Sequence, residues 1–419
     1  MLFAAYLVLF AWLVTKVKFF RNSGLTPAQL VICFLLKVLA GIFYGWIGVY
    51  YGEMAQMVDT WAYHYQSLTE YQLLLDDPSR FISGLFTSSY ESGHAGFFAT
   101  KNSWWNDLKG TSFLKLLAVF NLFSLGNYYV NVILYSFITL FGPIALFRVM
   151  NDVFPGKKLA VLGATFLVPS FLYWTSGLHK DGLIFLGMAL MVYQLYNIIR
   201  GNKKIGLRLG MILLALLVIL ALRNFLVLLI IPAFLTWFAA SRIKASPVKI
   251  FGVAYLLLLV VFFGARYFYP ALDFPKAVSE RQDAFVGLTG NSAVAVTPLQ
   301  PTIKGFVNNA PQAFTLSTLR PYPSDVRHLL SLAAAIEINL LLLLFAILLI
   351  WRRTEAQLDP FITFCIFLSF SIFLMVGYTV NFLGAIVRYR SIVLPFLVVP
   401  MIALIDWDRI KYVLTKKIL

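Results

Sequence analysis

Charge is scarce in this sequence. Only 12% of its 419 residues are Asp, Glu, Lys or Arg, against roughly 25% in a soluble globular chain. Cysteine is scarcer still. Cys33 and Cys365 are the only two, and both fall inside apolar runs, which excludes a disulfide framework and argues against a thiol nucleophile. The chain shows no glycine-rich phosphate loop, no metal-ligand spacing, no internal repeat and no attached soluble domain. No cofactor is therefore implied by any motif, and dependence on a divalent metal stays open. No basic residue precedes the first apolar run and no small-residue cleavage site follows it, so the N-terminus reads as a retained helix rather than a signal peptide.

Apolar sequence fills the space. Hydrophobic residues make up 60% of the chain and the mean hydropathy is +0.82. Runs of about 17 to 25 residues, each long enough to cross a ~30 Å hydrocarbon core, recur from end to end. The pattern predicts an all-α polytopic membrane protein, a single transmembrane domain over 1–419, with about eleven spans. Their limits are 2–15, 28–51, 129–149, 158–175, 182–199, 208–222, 225–241, 250–266, 329–351, 360–381 and 391–406. The first is short for a crossing, and 112–125 is expected as a further helix lying in the interface.

The net charge of +16 raises the question of nucleic acid, and its placement answers it. When connections alternate between the two sides with Lys16 inside, the inner side holds nineteen basic residues against five acidic ones. The remainder holds 15 basic and 13 acidic. Six separate connections obey one binary choice of orientation, as the positive-inside rule requires. The basicity is topological, and nucleic acid is not an expected partner.

Backbone in lipid must satisfy itself within helices, so irregular polar stretches lie outside the hydrocarbon or line a cavity. Two connections are long, 52–128 and 267–328, and both fall on the outer side. Long loops in compact proteins are often functional, which places the working face outside. The first loop carries Asp59, then Trp61, Tyr63, His64 and Tyr65, then Asp76-Asp77, then Lys101-Asn-Ser-Trp104-Trp105-Asn-Asp107. Rings of this kind stack on sugar faces, and they equally anchor a chain at headgroup depth. Asp76-Asp77 before Pro78 reads as a helix-ending turn. The second loop has Pro298, Pro301, Pro311, Pro321 and Pro323 with Gly287 and Gly290, and is expected to be loop rather than helix, either a lid over substrate or a connector.

Cations sit at the outer helix mouths: His179 and Lys180 in the turn Ser176-Gly177-Leu178-His179-Lys180-Asp181-Gly182, Arg223 beside Asn224, Arg320, Arg327 and His328 at the end of the second loop, and Arg388-Tyr389-Arg390 before the last span. Each alone is compatible with snorkelling to lipid phosphate. As a set they suit a phosphate or diphosphate headgroup, which Arg binds bidentately and Lys as a point charge. Asp59 is the natural partner chemistry, a base for an acceptor hydroxyl, with His64 to orient it or to take the proton; the alternative for Asp59 is a helix N-cap. Trp61 and Tyr63 are candidate sugar contacts. Lys37 and Glu337 lie within spans, where isolated charges are functional by default; the two expectations are a mutual pair and a proton path through Glu337.

A first long outer loop carrying an acid, together with Arg388-Tyr389-Arg390 before a late span, resembles the GT-C superfamily of integral membrane glycosyltransferases. The segment Val168 to Asp181 also looks like bacterial envelope proteins of glycan assembly. The resemblance implies that Asp59 is the loop carboxylate, that Arg388 or Arg390 contacts donor phosphate, and that a polyprenyl-phosphate-linked sugar is transferred on the non-cytoplasmic face. The chain departs from that pattern in two ways: the acid follows the second expected span rather than the first, and no paired acidic motif stands at Asp59. The expected partners are the donor, a glycan or lipid acceptor and membrane lipids, in a multi-pass protein of the bacterial inner membrane. Two other classes remain. A polysaccharide polymerase or ligase acting on undecaprenyl-diphosphate glycans would rely on Arg320, Arg327, His328, Arg388 and Arg390. A transporter or flippase would rely on Lys37 and Glu337.

Overall fold

A computed structural model describes residues 1–51, 59–87, 103–352 and 359–416. Lys101, Asn102, Arg353, Glu355 and Lys417 lie outside the described residues. The structure is all-helical, with no strand among the described residues, as expected where each segment must satisfy its own backbone in lipid.

Among the described residues, seven helices are long and apolar enough to cross a membrane: Pro27–Tyr50, Tyr128–Val153, Lys180–Ile199, Ile205–Arg223, Pro247–Phe268, Leu329–Ile350 and Pro360–Thr379. The count reaches nine if two broken pairs, Lys158–Phe166 with Pro169–Ser176 and Leu383–Ser391 with Leu394–Leu404, each form one span. The chain is a multi-pass membrane protein. The remaining two of the eleven expected segments coincide with Leu2–Lys16 and Phe225–Ala240, of 15 and 16 residues, short of the ~20 that a crossing takes. Leu383–Ser391 and Leu394–Leu404 meet at 64°. Pro395 in the second helix's first turn explains that break, since it has no N–H for the Ser391 carbonyl four residues back and its ring crowds that carbonyl, so the first helix cannot run on.

The chain divides into two compact units, 1–149 with 171–228, and 150–170 with 229–419. In the first, small residues set the closest approaches. Gly41 and Gly45, four apart on one face of Pro27–Tyr50, lie where a Cβ would overlap the Ser176 carbonyl and the Tyr128 ring respectively. That is the small-residue spacing by which membrane helices bring backbones together. Helix Asp59–Asp76 packs on Trp104–Ser124, and Lys180–Ile199 on Ile205–Arg223. Asp77 ends one helix and caps the next, Pro78–Ser83, accepting from Arg80 N at 3.0 Å and from Ser79 Oγ at 2.7 Å. These bonds favour the ionised form and lower its pKa. The expected interfacial helix 112–125 is the second half of Trp104–Ser124.

In the second unit the proline-rich stretch departs from expectation. It contains two helices, Phe274–Val286 and Ile303–Thr318, both packed on Pro360–Thr379. Pro275 stands at a helix start, where its missing N–H costs nothing, after Asp273 caps Lys276 N at 3.0 Å. Pro298 and Pro301 precede the second start, which Thr302 caps. Only Pro311 lies inside a helix. Gln282 pins the intervening chain, donating to Tyr378 O at 3.1 Å and accepting from Leu299 N at 2.7 Å.

Candidate functional site

In the first unit, four charged side chains from three parts of the sequence form a continuous line. Its anchor is the turn after Ser176. Gly177 is required there because a Cβ would enter the Tyr44 ring. The next residue, Leu178, accepts from Thr60 Oγ1 at 3.3 Å, and Thr60 in turn meets the Tyr128 hydroxyl at 2.8 Å. Trp61 stacks on Tyr128 at 4.0 Å and donates to Gly45 O at 2.8 Å. Residues 60 and 61 thereby fix the start of helix Asp59–Asp76 against the turn, with Asp59 as its first residue.

His179 ends the turn in extended geometry and precedes helix Lys180–Ile199. Its carbonyl accepts from the Tyr135 hydroxyl. Its Nδ1 lies 2.7 Å from Oδ2 of Asp181, and Asp181 Oδ1 lies 2.8 Å from Nη2 of Arg223. Asp181 is fully buried. A carboxylate in that setting needs a partner, and it has two cationic or donor groups plus the positive end of its own helix. On the far side of the imidazole, Nε2 stands 3.9 Å from Oδ2 of Asp59. Asp59 is the open end, its side chain 49% exposed against 3% for His179.

This arrangement orients a base. Asp181 holds the His179 ring by Nδ1, Arg223 balances the carboxylate, and Nε2 is left facing Asp59. Tyr63, one helical turn from Asp59, places its ring 5.7 Å from His179, and the Lys180 ammonium lies 5.1 Å over the Tyr63 ring while donating to Lys109 O at 2.6 Å.

The structure thus brings together Asp59, Tyr63, His179, Lys180 and Arg223, with Trp61 beneath. His64 goes elsewhere. Five residues from Asp59 it faces another side of the helix, buried against Trp61 at 5.8 Å and Tyr128 at 5.4 Å. Burial lowers its pKa. The group found beside Asp59 is His179. Asp181, Thr60 and Tyr135 were not singled out from the sequence. A signal for Asp181 existed, since an acid in the first turn of an apolar helix needs a counterion.

The remaining candidates belong to the second unit. Arg320 lies 3.7 Å from Asp325 and stacks on Tyr322; Arg327 donates to Asn291 O at 2.8 Å. His328 caps Leu329–Ile350, its Nδ1 accepting from Ser331 N at 3.3 Å, and burial lowers its pKa. Arg388 stacks on Tyr389 at 5.0 Å. Arg390 is fully buried and donates through Nη1 to Ser317 O and Arg320 O, at 3.3 and 2.6 Å. Lys37 and Glu337 each have partners in their own unit: Lys37 Nζ donates to Thr175 O at 2.6 Å, and Glu337 Oε2 accepts from Ser170 N at 2.6 Å. Among the described residues no group of three His, Cys, Asp or Glu side chains is placed to hold a metal ion.

The fold and this site define a polytopic membrane protein with a buried Asp–His–Asp–Arg line ending at a half-exposed carboxylate. Compared with protein-family models, curated proteins and solved structures, the chain matches none.

Proposed function

We propose that the protein is an integral membrane glycosyltransferase of the bacterial inner membrane. It moves a sugar from a polyprenyl-phosphate donor to a hydroxyl of an envelope glycan, lipid or protein on the non-cytoplasmic face. The acceptor oxygen attacks the anomeric carbon, the bond from that carbon to the phosphate oxygen breaks with its electron pair, and polyprenyl phosphate leaves. Asp59 takes the hydroxyl proton. His179 Nε2 behind it is the next proton acceptor, and Asp181 supplies the negative charge that favours the imidazolium. The resemblance assigns the donor phosphate to Arg388 or Arg390.

One observation carries this reading: a half-exposed carboxylate stands 3.9 Å from an imidazole that a buried carboxylate holds in one orientation at 2.7 Å. Asp59→Asn is expected to lower product formation by at least about a hundredfold, the range for loss of a general base, while the protein still inserts. The measurement is glycan product in a deletion strain complemented with the variant, alongside membrane abundance. Unchanged glycan at normal abundance removes the proposal.

A polymerase or ligase acting on undecaprenyl-diphosphate glycans is the second reading. It is supported by Arg390, whose Nε and Nη2 have no hydrogen-bond partner among the described residues. Normal product from Asp59→Asn, with loss of product from Arg390→Ala, selects it.

A further inference from the structure

The second unit holds three buried polar side chains with hydrogen-bonding capacity left unused among the described residues. Arg390, on Leu383–Ser391, is 0% exposed. Its Nη1 closes the C-terminus of helix Ile303–Thr318 by donating to Ser317 O and Arg320 O, carbonyls of the kind a helix end leaves open. Its other edge, Nε with Nη2, has no partner among the described residues. That edge is the parallel fork that matches two oxygens of a phosphate or carboxylate.

Glu337, 5% exposed at mid-length in Leu329–Ile350, accepts from Ser170 N through Oε2 at 2.6 Å. Its Oε1 has no partner among the described residues, nor does the Ser170 hydroxyl, itself 8% exposed. Glu337 and Arg390 feel each other's charge, yet no direct ion pair joins them among the described residues. Four polar atoms of three buried residues are therefore open: two donors, one acceptor and one hydroxyl. Leaving them so is expensive, because each unmet buried polar group costs about 1–3 kcal/mol, and more when charged.

A guest that completes this set must accept from the arginine fork with two oxygens and donate to Glu337 Oε1. A bare dianion fails the second requirement, and an ammonium fails the first. An oxyanion that keeps one O–H meets both. We infer that Arg390, Glu337 and Ser170 form a buried receptor for a phosphate group carrying a proton, whether free phosphate or a lipid phosphomonoester headgroup. The inference rests on the transferase reading only in sharing Arg390, and it adds a selectivity: Glu337 excludes phosphate groups with no hydroxyl to donate, so phosphodiesters, the sugar-linked donor among them, are rejected. Of the two arginines the donor phosphate then falls to Arg388, and Arg390 takes a phosphomonoester such as the one the transfer releases.

The test is equilibrium binding of radiolabelled inorganic phosphate to the full chain in phosphatidylcholine nanodiscs, without sugar or acceptor, so that a chain lacking transferase activity still answers. Saturable binding is expected, weakened at least about tenfold by Arg390→Lys, which keeps the charge and loses the fork, and by Glu337→Gln, on the strength of a charge-assisted hydrogen bond. Ser170→Ala, which deletes only an open hydroxyl, weakens binding several-fold and guards against misfolding of the charged variants. Competition by phosphatidic acid in the disc, with none by phosphatidylglycerol, identifies a lipid headgroup as occupant. Saturable phosphate binding with competition by neither lipid identifies free phosphate. Absence of saturable phosphate binding and of phosphatidic acid binding overturns the inference and leaves the site to ordered water, as does binding that all three variants retain unchanged.

Discussion

At the scale of single residues, the pairing of Asp181 and Arg223 is the costliest part of the site. A buried carboxylate stripped of its guanidinium is destabilising by about 3–5 kcal/mol, whereas replacing both partners by apolar groups is near neutral. Arg223→Met is therefore expected to lower thermal stability in detergent strongly, and Asp181→Leu together with Arg223→Met to restore most of it without restoring activity. Equal loss in the single and double variants speaks against a coupled pair. His64 gives a pH signature of its own. Its folded pKa lies below the ordinary 6.5 because of burial, so the unfolded chain takes up the proton first. The stability this group contributes is complete above about pH 6.5 and falls as the pH drops below it. His64→Phe is expected to flatten that part of the stability–pH curve, and an unaltered curve refutes the assignment. Asp59, Tyr63 and the 179–181 turn were legible as polar groups at apolar boundaries. Which histidine meets Asp59 was not, since proximity in sequence favoured His64 and helical phase turned it away.

Helices were readable where lipid dictates them. Each of the seven crossing-length helices coincides with an apolar run, because a membrane leaves the backbone no alternative. Helices Phe274–Val286 and Ile303–Thr318 were hidden by proline, whose position at a helix start cannot be distinguished from a loop by counting. Close packing was likewise invisible until the partner was known. Gly45 faces Tyr128, and Gly45→Leu is expected to force the two apart at a cost of about 1–3 kcal/mol, the usual penalty for overfilling a packed contact. Because Trp61 binds Gly45 O and stacks on Tyr128, the same substitution should also reduce activity. Thermal melting and product yield measured together check this; a variant that melts normally and works normally contradicts the packing argument.

For the molecule as a whole, orientation is the property on which the outer-face reading depends. Cys33 and Cys365 are both buried, so single cysteines report without a competing background. A cysteine replacing Lys203 is expected to react with an impermeant maleimide only from the cytoplasmic side, and one replacing Asp283 only from the other. The reverse pattern inverts the topology and moves Asp59 to the cytoplasm. Charge asymmetry is the sequence feature that predicts this orientation; the division into two compact units has no such signal, since nothing in an apolar run records which neighbour it will choose.

The line from Asp59 to Arg223 also bears on biosynthesis. Asp59 emerges from the ribosome first, the His179–Asp181 turn much later, and the counterion Arg223 last of all. Until that final helix is threaded into the bilayer, a carboxylate destined for full burial waits without its guanidinium, in a solvent that strongly disfavours a lone charge. Nascent chains halted before position 223 are thus natural clients for whatever machinery shelters half-inserted membrane proteins.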